Sequence, residues 1–165
     1  MHKRSILWGG GLFAMAAAAA ADVSVVFVEP EKYTDSAYSR SFATPQDRAE
    51  VERDIEQHLQ RLGARVLPEG DSLRIEVLDV DLAGHFEPLR ILGGSDVRIV
   101  RDISWPRIWL RYTLTRGTQV VGSGEERLSD MNFLATPNRY SPDDRLRYEK
   151  AMLDHWFEGR FGRRR

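Results

Sequence analysis

The 165-residue sequence has no cysteine, only three lysines and almost no excess of either charge. Without cysteine the chain can form no disulfide, no zinc site with thiolate ligands and no cysteine nucleophile. A formal net charge of -1 leaves no basic surplus to neutralise phosphates, so we predict no nucleic-acid binding. The sequence is 42% hydrophobic and 30% charged, which is typical of a globular domain and excludes a disordered chain.

The sequence also lacks a long apolar run except at its N-terminus. There Lys3 and Arg4 precede an apolar stretch that ends in an alanine tract at Ala21. A charged start, an apolar middle and small residues at the end are typical of a signal peptide, so residues 1–21 are predicted to be removed before Asp22. The alternative, a permanent membrane anchor, needs a longer and more hydrophobic stretch. We therefore predict an exported, periplasmic protein that has no transmembrane segment after cleavage.

Residues 22–165 are predicted to form a single domain that ends in a short basic tail. Two of its segments have the periodicity of amphipathic helices. The first begins after Thr44, a favourable N-cap, and ends at Gly63, whereas the second begins at Ser141 with Pro142 in its first turn. Their apolar stripes consist of Val51, Ile55, Leu59 and Leu62 in the first helix and Leu146, Met152, Leu153, Trp156 and Phe157 in the second.

The remaining apolar segments predict strands. Val23–Val28 barely alternates, which predicts a strand buried on both faces, and Val97–Ile103 predicts a short edge strand because arginines interrupt it. The clearest strand begins at Pro106 and returns as a hairpin through 119–128. The result is an α+β fold, with a mixed or antiparallel sheet of about four to five strands and two helices packed on one face.

One strand changes its alternation partway along. Apolar residues alternate up to Val77 and then continue from Leu78 in the opposite phase, which predicts a β-bulge at this point. The bulge would re-aim Asp79 and Asp81, so that both carboxylates face away from the core.

Five short segments stand out in order along the chain: Glu29–Asp35 (EPEKYTD), Asp79–Gly84 (DVDLAG), Trp105–Ile108 (WPRI), Ser129–Asn132 (SDMN) and Tyr148–Lys150 (YEK), followed by Trp156 and Phe157. In these segments the sequence resembles an uncharacterised proteobacterial family, the domain of unknown function DUF3016. The resemblance covers essentially the whole chain after the signal peptide and implies an exported single-domain protein. It implies no activity, because none is established for the family.

The first candidate site is a divalent-metal site at Asp79, Asp81 and His85, which place two carboxylates and an imidazole within seven residues. The segment fails the calcium-loop pattern because Ala83 stands at a ligand position. Asp154 or His155 could complete the site from elsewhere in the chain. The alternative is that the two carboxylates lie on the solvent face and pair with arginines.

The second candidate site is the polar side of the main strand, where Trp105, Arg107, Trp109 and Arg111 alternate with apolar residues. Tryptophan offers a stacking surface and arginine offers paired donors, so this face suits anionic or sugar ligands. The alternative is a sheet face on which arginines lie over tryptophans and pair with Glu125 or Glu126 across the hairpin.

These sites leave two classes of function open. The first is a non-catalytic, envelope-associated binding protein that uses its sheet face or its long loop at 29–42 to bind an envelope protein or polymer. The second is a divalent-metal-dependent hydrolase that uses Asp79, Asp81 and His85. No nucleophile motif such as G-x-S-x-G is present, so we predict no catalytic residue and no cofactor.

Overall fold

The computed structural model describes residues 21–38, 44–88 and 96–162. The predicted signal peptide, apart from Ala21, and the predicted basic tail at 163–165 lie outside these residues. The predicted α+β class is confirmed. In chain order the elements are β1 (Asp22–Phe27), a 3-10 turn (Pro30–Lys32), α1 (Pro45–Val66), β2 (Asp71–Asp81), β3 (His85–Pro88), β4 (Asp96–Ile99), β5 (Arg107–Arg116), β6 (Gln119–Ser129) and α2 (Arg147–Phe161).

The main sheet has four strands in the order β1, β2, β5, β6. It is mixed, because β1 runs parallel to β2 whereas β2, β5 and β6 pair in antiparallel fashion. The prediction that β1 is buried on both faces is wrong: β1 lies at one edge of the sheet and Ser24 is exposed. A run of valines covered on one side only gives the same sequence pattern as a central strand.

The strand predicted at Val97–Ile103 is shorter than expected and lies outside the main sheet. It ends at Ile99 and pairs with β3 in a separate two-stranded ribbon. The ribbon follows a tight turn at Gly84, where the backbone has a φ of 85°. Two things disfavour a side chain at this position. A positive φ favours glycine, and a Cβ would lie 2.7 Å from the carbonyl oxygen of Ile99.

Both helices pack on one face of the main sheet, which we call the covered face. Leu73, Ile75 and Leu110 of the sheet are fully buried there, as are Leu153 and Phe157 of α2. Burying such side chains stabilises the fold by about 1.5 to 3 kcal/mol each. Trp156 lies at the margin of this core, half-buried, and its ring meets that of Tyr112 edge to face at 6.1 Å.

The ends of both helices differ from the sequence-based expectation. Thr44 caps α1 as predicted, in a capping box with Asp47, but the helix continues through Gly63 to Val66. A Cβ on Gly63 would lie 2.1 Å from Cγ2 of Val23, so this glycine permits close packing of α1 on β1 instead of ending the helix. The second helix begins at Arg147, not at Ser141, because the intervening residues form a turn.

The predicted β-bulge is confirmed. Val77 of β2 lies opposite Leu110 of β5, and the next pair joins Asp79 to Trp109, so Leu78 is the additional residue. Beyond the bulge Val80 is buried on the covered face, and Asp79 and Asp81 therefore lie on the opposite face of the sheet.

Candidate functional site

The face of the sheet turned away from the helices carries most of the candidate residues, and we call it the polar face. Residues that lie opposite one another on β2, β5 and β6 form rows across it. Because neighbouring strands are about 4.8 Å apart, side chains in one row are close enough to contact one another. The three rows are Glu76, Arg111 and Glu125; then Asp79, Trp109 and Arg127; then Asp81, Arg107 and Ser129.

The first row is a network of exposed charged side chains. Arg111 donates to Glu125 Oε2 at 2.8 Å and to Glu76 Oε2 at 3.2 Å. The hydrogen bonds and positive charge of Arg111 lower the pKa of Glu125. Trp109 adds a hydrogen bond from its indole Nε1 to Glu125 Oε1 at 3.0 Å. The structure thus contains the cross-hairpin pairing of arginine with Glu125 that the sequence offered as an alternative to ligand binding.

The second row begins with Asp79, whose carboxylate holds the loop that follows the 3-10 turn. Its Oδ1 accepts a hydrogen bond from the backbone N–H of Thr34, and its Oδ2 accepts one from the Thr34 hydroxyl, both at 2.7 Å. Both carboxylate oxygens are therefore occupied by a residue 45 positions away in the sequence. Asp79 pairs with a hydroxyl and an amide here, and not with an arginine as the alternative predicted.

The third row begins with Asp81, which faces away from the core but is only 4% exposed. Arg107 covers it and donates from Nε to its Oδ2 at 2.8 Å and from a terminal nitrogen to the same oxygen. The loop residue Asp35 also bridges to this strand end: its N–H donates to the Val80 carbonyl at 2.9 Å, and its carbonyl accepts from Leu82 N–H at 3.1 Å.

The loop and the strand end are further held by two buried ionisable side chains. Arg98 of β4, whose side chain is 6% exposed, donates to Asp35 at 2.8 Å and to the Ala83 carbonyl at 2.9 Å. Glu149 of α2 is buried and accepts a hydrogen bond from Ala83 N–H at 2.7 Å. Burial raises the pKa of the Glu149 carboxyl, and the hydrogen bond from Ala83 partly opposes this rise.

The two candidate sites that the sequence suggested separately meet in one cleft of about 560 Å³. We call it the tryptophan cleft. Arg111, the fourth residue of the second candidate site, does not line it. The cleft is lined by residues that include Asp79, Asp81, Trp105, Arg107, Trp109 and Arg127. A second cavity of about 420 Å³ is also lined by Asp81 and Arg107, together with His85 at the start of β3.

Two arginine-tryptophan pairs lie in the tryptophan cleft. The Arg107 guanidinium lies 5.7 Å from the ring centroid of Trp105, and the Arg127 guanidinium lies 4.6 Å from that of Trp109. Cation-π contacts of this kind hold each guanidinium plane over an aromatic ring. The cleft therefore presents positively charged donors that are already oriented before any ligand binds.

Sequence analysis did not find Arg127 or Thr34. Counting back from the hairpin pair of Arg116 and Gln119 in a regular register would place Glu126 opposite Trp109. An irregularity after Leu114 shifts the pairing by one residue and brings Arg127 there instead. No local pattern marks such a shift, and Thr34 contacts Asp79 only through the tertiary fold.

The structure divides the three proposed metal ligands between two cavities. Asp79 lines the tryptophan cleft, His85 lines the cavity of about 420 Å³, and Asp81 lines both. Within residues 21–38, 44–88 and 96–162, no group of three His, Asp or Glu side chains could hold a metal ion. Asp154, one possible additional ligand, lies instead between the helices, where its Oδ1 is 3.0 Å from Nε2 of His58. Burial is the main cause that lowers the pKa of His58, although Asp154 opposes it.

Fold and site together define a class: a small α+β domain with a polar cleft on the face of its sheet opposite the helices. A family model described as "Protein of unknown function (DUF3016)" matches residues 21–159, so the chain belongs to that family. No curated protein and no solved structure matches the chain. In the described part of the chain, no helix combines the length and the apolar character needed to cross a membrane.

Proposed function

We propose that this protein is a non-catalytic binding protein of the bacterial envelope, exported to the periplasm, and that its tryptophan cleft binds a saccharide unit of an envelope polymer. The observation that carries this proposal is the convergence of Trp105, Trp109, Arg107 and Asp79 in one cleft. Tryptophan rings pack against the apolar faces of sugars, and arginine and carboxylate groups exchange hydrogen bonds with sugar hydroxyls.

The contacts of the two carboxylates suit a binding site whose polar groups are held in place. Both oxygens of Asp79 accept hydrogen bonds from Thr34, and Oδ2 of Asp81 accepts two from Arg107. These contacts orient the side chains before a ligand binds, so less side-chain entropy is lost on binding.

The size of the cleft also suits this ligand class. Its volume of about 560 Å³ lies within the range of about 300 to 1,000 Å³ that small-molecule sites occupy. Because the cleft is open on one side, a unit within a longer polymer could enter without a free chain end.

Co-sedimentation with purified murein sacculi tests the proposal. We expect the protein to sediment with sacculi and the double variant Trp105→Ala, Trp109→Ala to lose at least tenfold in affinity. Arg74→Ala is the matched control, because Arg74 lies on the same face of β2, contacts Glu76 at 3.1 Å and does not line the cleft. Sedimentation that is absent, or that is equal in the two variants while both remain folded, contradicts the proposal.

Export has its own test. N-terminal sequencing of the protein from a periplasmic extract should give Asp22 as the first residue, since signal peptidase cleaves after small residues such as Ala21. Intact Met1 in a membrane fraction would contradict the export part of the proposal and leave the binding part to be judged by the sedimentation experiment.

A metal-dependent hydrolase is the second candidate function, favoured by the presence of Asp81 and His85 in the same 420 Å³ cavity. It requires Arg107 to release Asp81 when a cation binds. Metal analysis of the purified protein should then find a stoichiometric divalent cation that is lost on His85→Ala. A protein that takes up no divalent cation on dialysis against zinc, manganese or calcium would exclude this function.

A further inference from the structure

The two arginine-tryptophan pairs of the tryptophan cleft differ in one respect. Arg107 lies over Trp105 and its charge is neutralised by the buried carboxylate of Asp81. Arg127 lies over Trp109 with its guanidinium 4.6 Å from the ring centroid, but it makes no ion pair among the described residues. Arg107 is therefore ion-paired within the protein, whereas the Arg127 guanidinium contacts no carboxylate of the described residues, although its charge helps to lower the pKa of Glu125.

The carboxylates near Arg127 are already engaged. Glu125 accepts hydrogen bonds from Arg111 and Trp109. Glu126 points to the helix side of β6, where it accepts a hydrogen bond from Trp156 Nε1 at 3.1 Å and pairs with Arg160. The donors of the Arg127 guanidinium are thus held over an indole ring and left for a group that is not part of the described protein.

We propose that the ligand of the tryptophan cleft is an acidic sugar unit and that Arg127 binds its anionic group, a carboxylate or a phosphate. This inference rests on the proposed function and specifies the substrate class for the same site. Planar guanidinium matches the geometry of carboxylate and phosphate with two parallel hydrogen bonds, which explains why arginine is the suitable residue.

The row across the sheet gives the ligand a direction. Asp79 and Arg127 lie on either side of Trp109, and two strand spacings separate their backbones by about 10 Å. A sugar ring with its substituents spans such a distance. Its hydroxyls donate to Asp79, whose carboxylate has lone pairs beyond those used by Thr34, while its anionic group accepts from Arg127.

Titration calorimetry with two matched pairs of probes tests the inference. The first pair is a galacturonic acid oligosaccharide and the same oligosaccharide with its carboxyl groups reduced to alcohols. The second pair is glucose 6-phosphate and glucose. We expect at least one anionic probe to bind tenfold or more tightly than its neutral counterpart. The pair that shows this preference tells whether the anionic group is a carboxylate or a phosphate.

Variants of the protein assign the preference to Arg127. Arg127→Gln should remove the difference between anionic and neutral probes, whereas Arg127→Lys should keep part of it, because lysine retains the charge but not the paired donors. Arg74→Gln, on the same face outside the cleft, should leave it unchanged. Thermal melts of each variant show that the comparison is made on folded protein.

Two results overturn the inference. One is a preference for the anionic probe that survives Arg127→Gln, and the other is that neither anionic probe binds more tightly than its neutral counterpart. If sacculi still bind through Trp105 and Trp109 in the second case, the proposed function stands and only the acidic ligand is wrong. If sacculi and all four probes fail to bind, the proposed function falls as well.

Discussion

The two faces of the main sheet are built from the same strands but are held together by different interactions. On the covered face, aliphatic side chains such as Leu73 and Leu110 are completely excluded from water. On the polar face, residues next to Leu110 in the chain, Trp109 and Arg111, form aromatic and charged contacts across the strands. Non-directional packing stabilises the first face, whereas the second depends on which side chains the strand register places together.

This difference shows which face supplies most of the stability of the fold. Removing apolar surface from water dominates the free energy of folding, while exposed ion pairs contribute little because water and salt screen them. The polar face can therefore hold a cleft of specific chemistry while most of the stability comes from the covered face. Substitutions on the two faces test this separation.

The largest loss of stability is expected for Leu110→Ala. The comparison is with Trp109→Ala, at the adjacent position on the opposite face of the sheet. Leu110 is fully buried, so the variant should lose about 2 to 5 kcal/mol of unfolding free energy through lost transfer energy and a cavity. Trp109→Ala should lose less than half as much. Urea denaturation of both variants measures this, and an equal or larger loss for Trp109→Ala would break the separation of the two faces.

The next effect concerns Trp156, at the margin of the covered face. Its ring packs against Tyr112 and Phe157, but it is half-buried, so Trp156→Ala should cost about 2 to 3 kcal/mol, less than a fully enclosed aromatic ring. Trp156→Phe keeps the ring contact and loses the hydrogen bond to Glu126, and it should recover most of the stability. A harmless Trp156→Ala variant, in thermal melts of the monomer, would show that α2 does not depend on this contact.

A smaller effect is expected for Asp81→Asn on the polar face. Arg107, its partner, remains half exposed, so its guanidinium keeps water when the carboxylate is lost. We expect a loss of about 1 kcal/mol, together with greater mobility of Arg107 in the cleft. Glu125→Gln, in the exposed first row, is the control and should cost less. A loss for Asp81→Asn that matches Leu110→Ala would assign a core role to the polar face.

The last prediction concerns how the unfolding free energy changes with pH. Burial raises the pKa of Glu149 above its usual value of 4.5, so the unfolded chain releases this proton at a lower pH than the native protein does. From about pH 4.5 upward the unfolded state therefore binds fewer protons, and stability falls as pH rises until the native carboxyl has also ionised. The Glu149→Gln variant cannot ionise at this position, so it lacks this loss of stability. Its urea midpoint should therefore rise relative to that of the wild type as pH rises. Parallel curves for the two proteins would contradict a raised pKa of the buried Glu149 carboxyl.

Sequence periodicity was sufficient for the covered face. The stripe of α1 and the alternation of β5 fix which residues point to the core, because burial imposes a period of 3.6 or 2 on apolar residues. The bulge in β2 was also visible, since the phase change at Val77 is itself a hydrophobic pattern. The ends of the elements were harder to predict from the sequence. Gly63, for example, permits close packing against Val23, which lies 40 residues earlier in the chain.

The cleft could be predicted only in part. Trp105 and Arg107 were found because they alternate with apolar residues, but their convergence with Asp79 and Asp81 depends on the pairing of β2 with β5. The position of Arg127 could not be predicted, because the irregularity after Leu114 in the hairpin places it opposite Trp109. Polar contacts between distant residues have no period, so sequence pattern identifies the type of face and not its specific partners.

The extra residue in β2 makes this strand tolerant of a one-residue deletion at the bulge. Val77 and Asp79 pair with consecutive residues of β5, Leu110 and Trp109, so a chain that lacks Leu78 would keep both this pairing and the assignment of every later residue to its face. Removal of Val77 has the same result, because Leu78 then takes its place opposite Leu110. Removal of a residue farther from the bulge would instead exchange the two faces over part of the strand. We therefore expect length differences of one residue among family members to be accommodated at Val77 or Leu78 and excluded elsewhere in the middle of this strand.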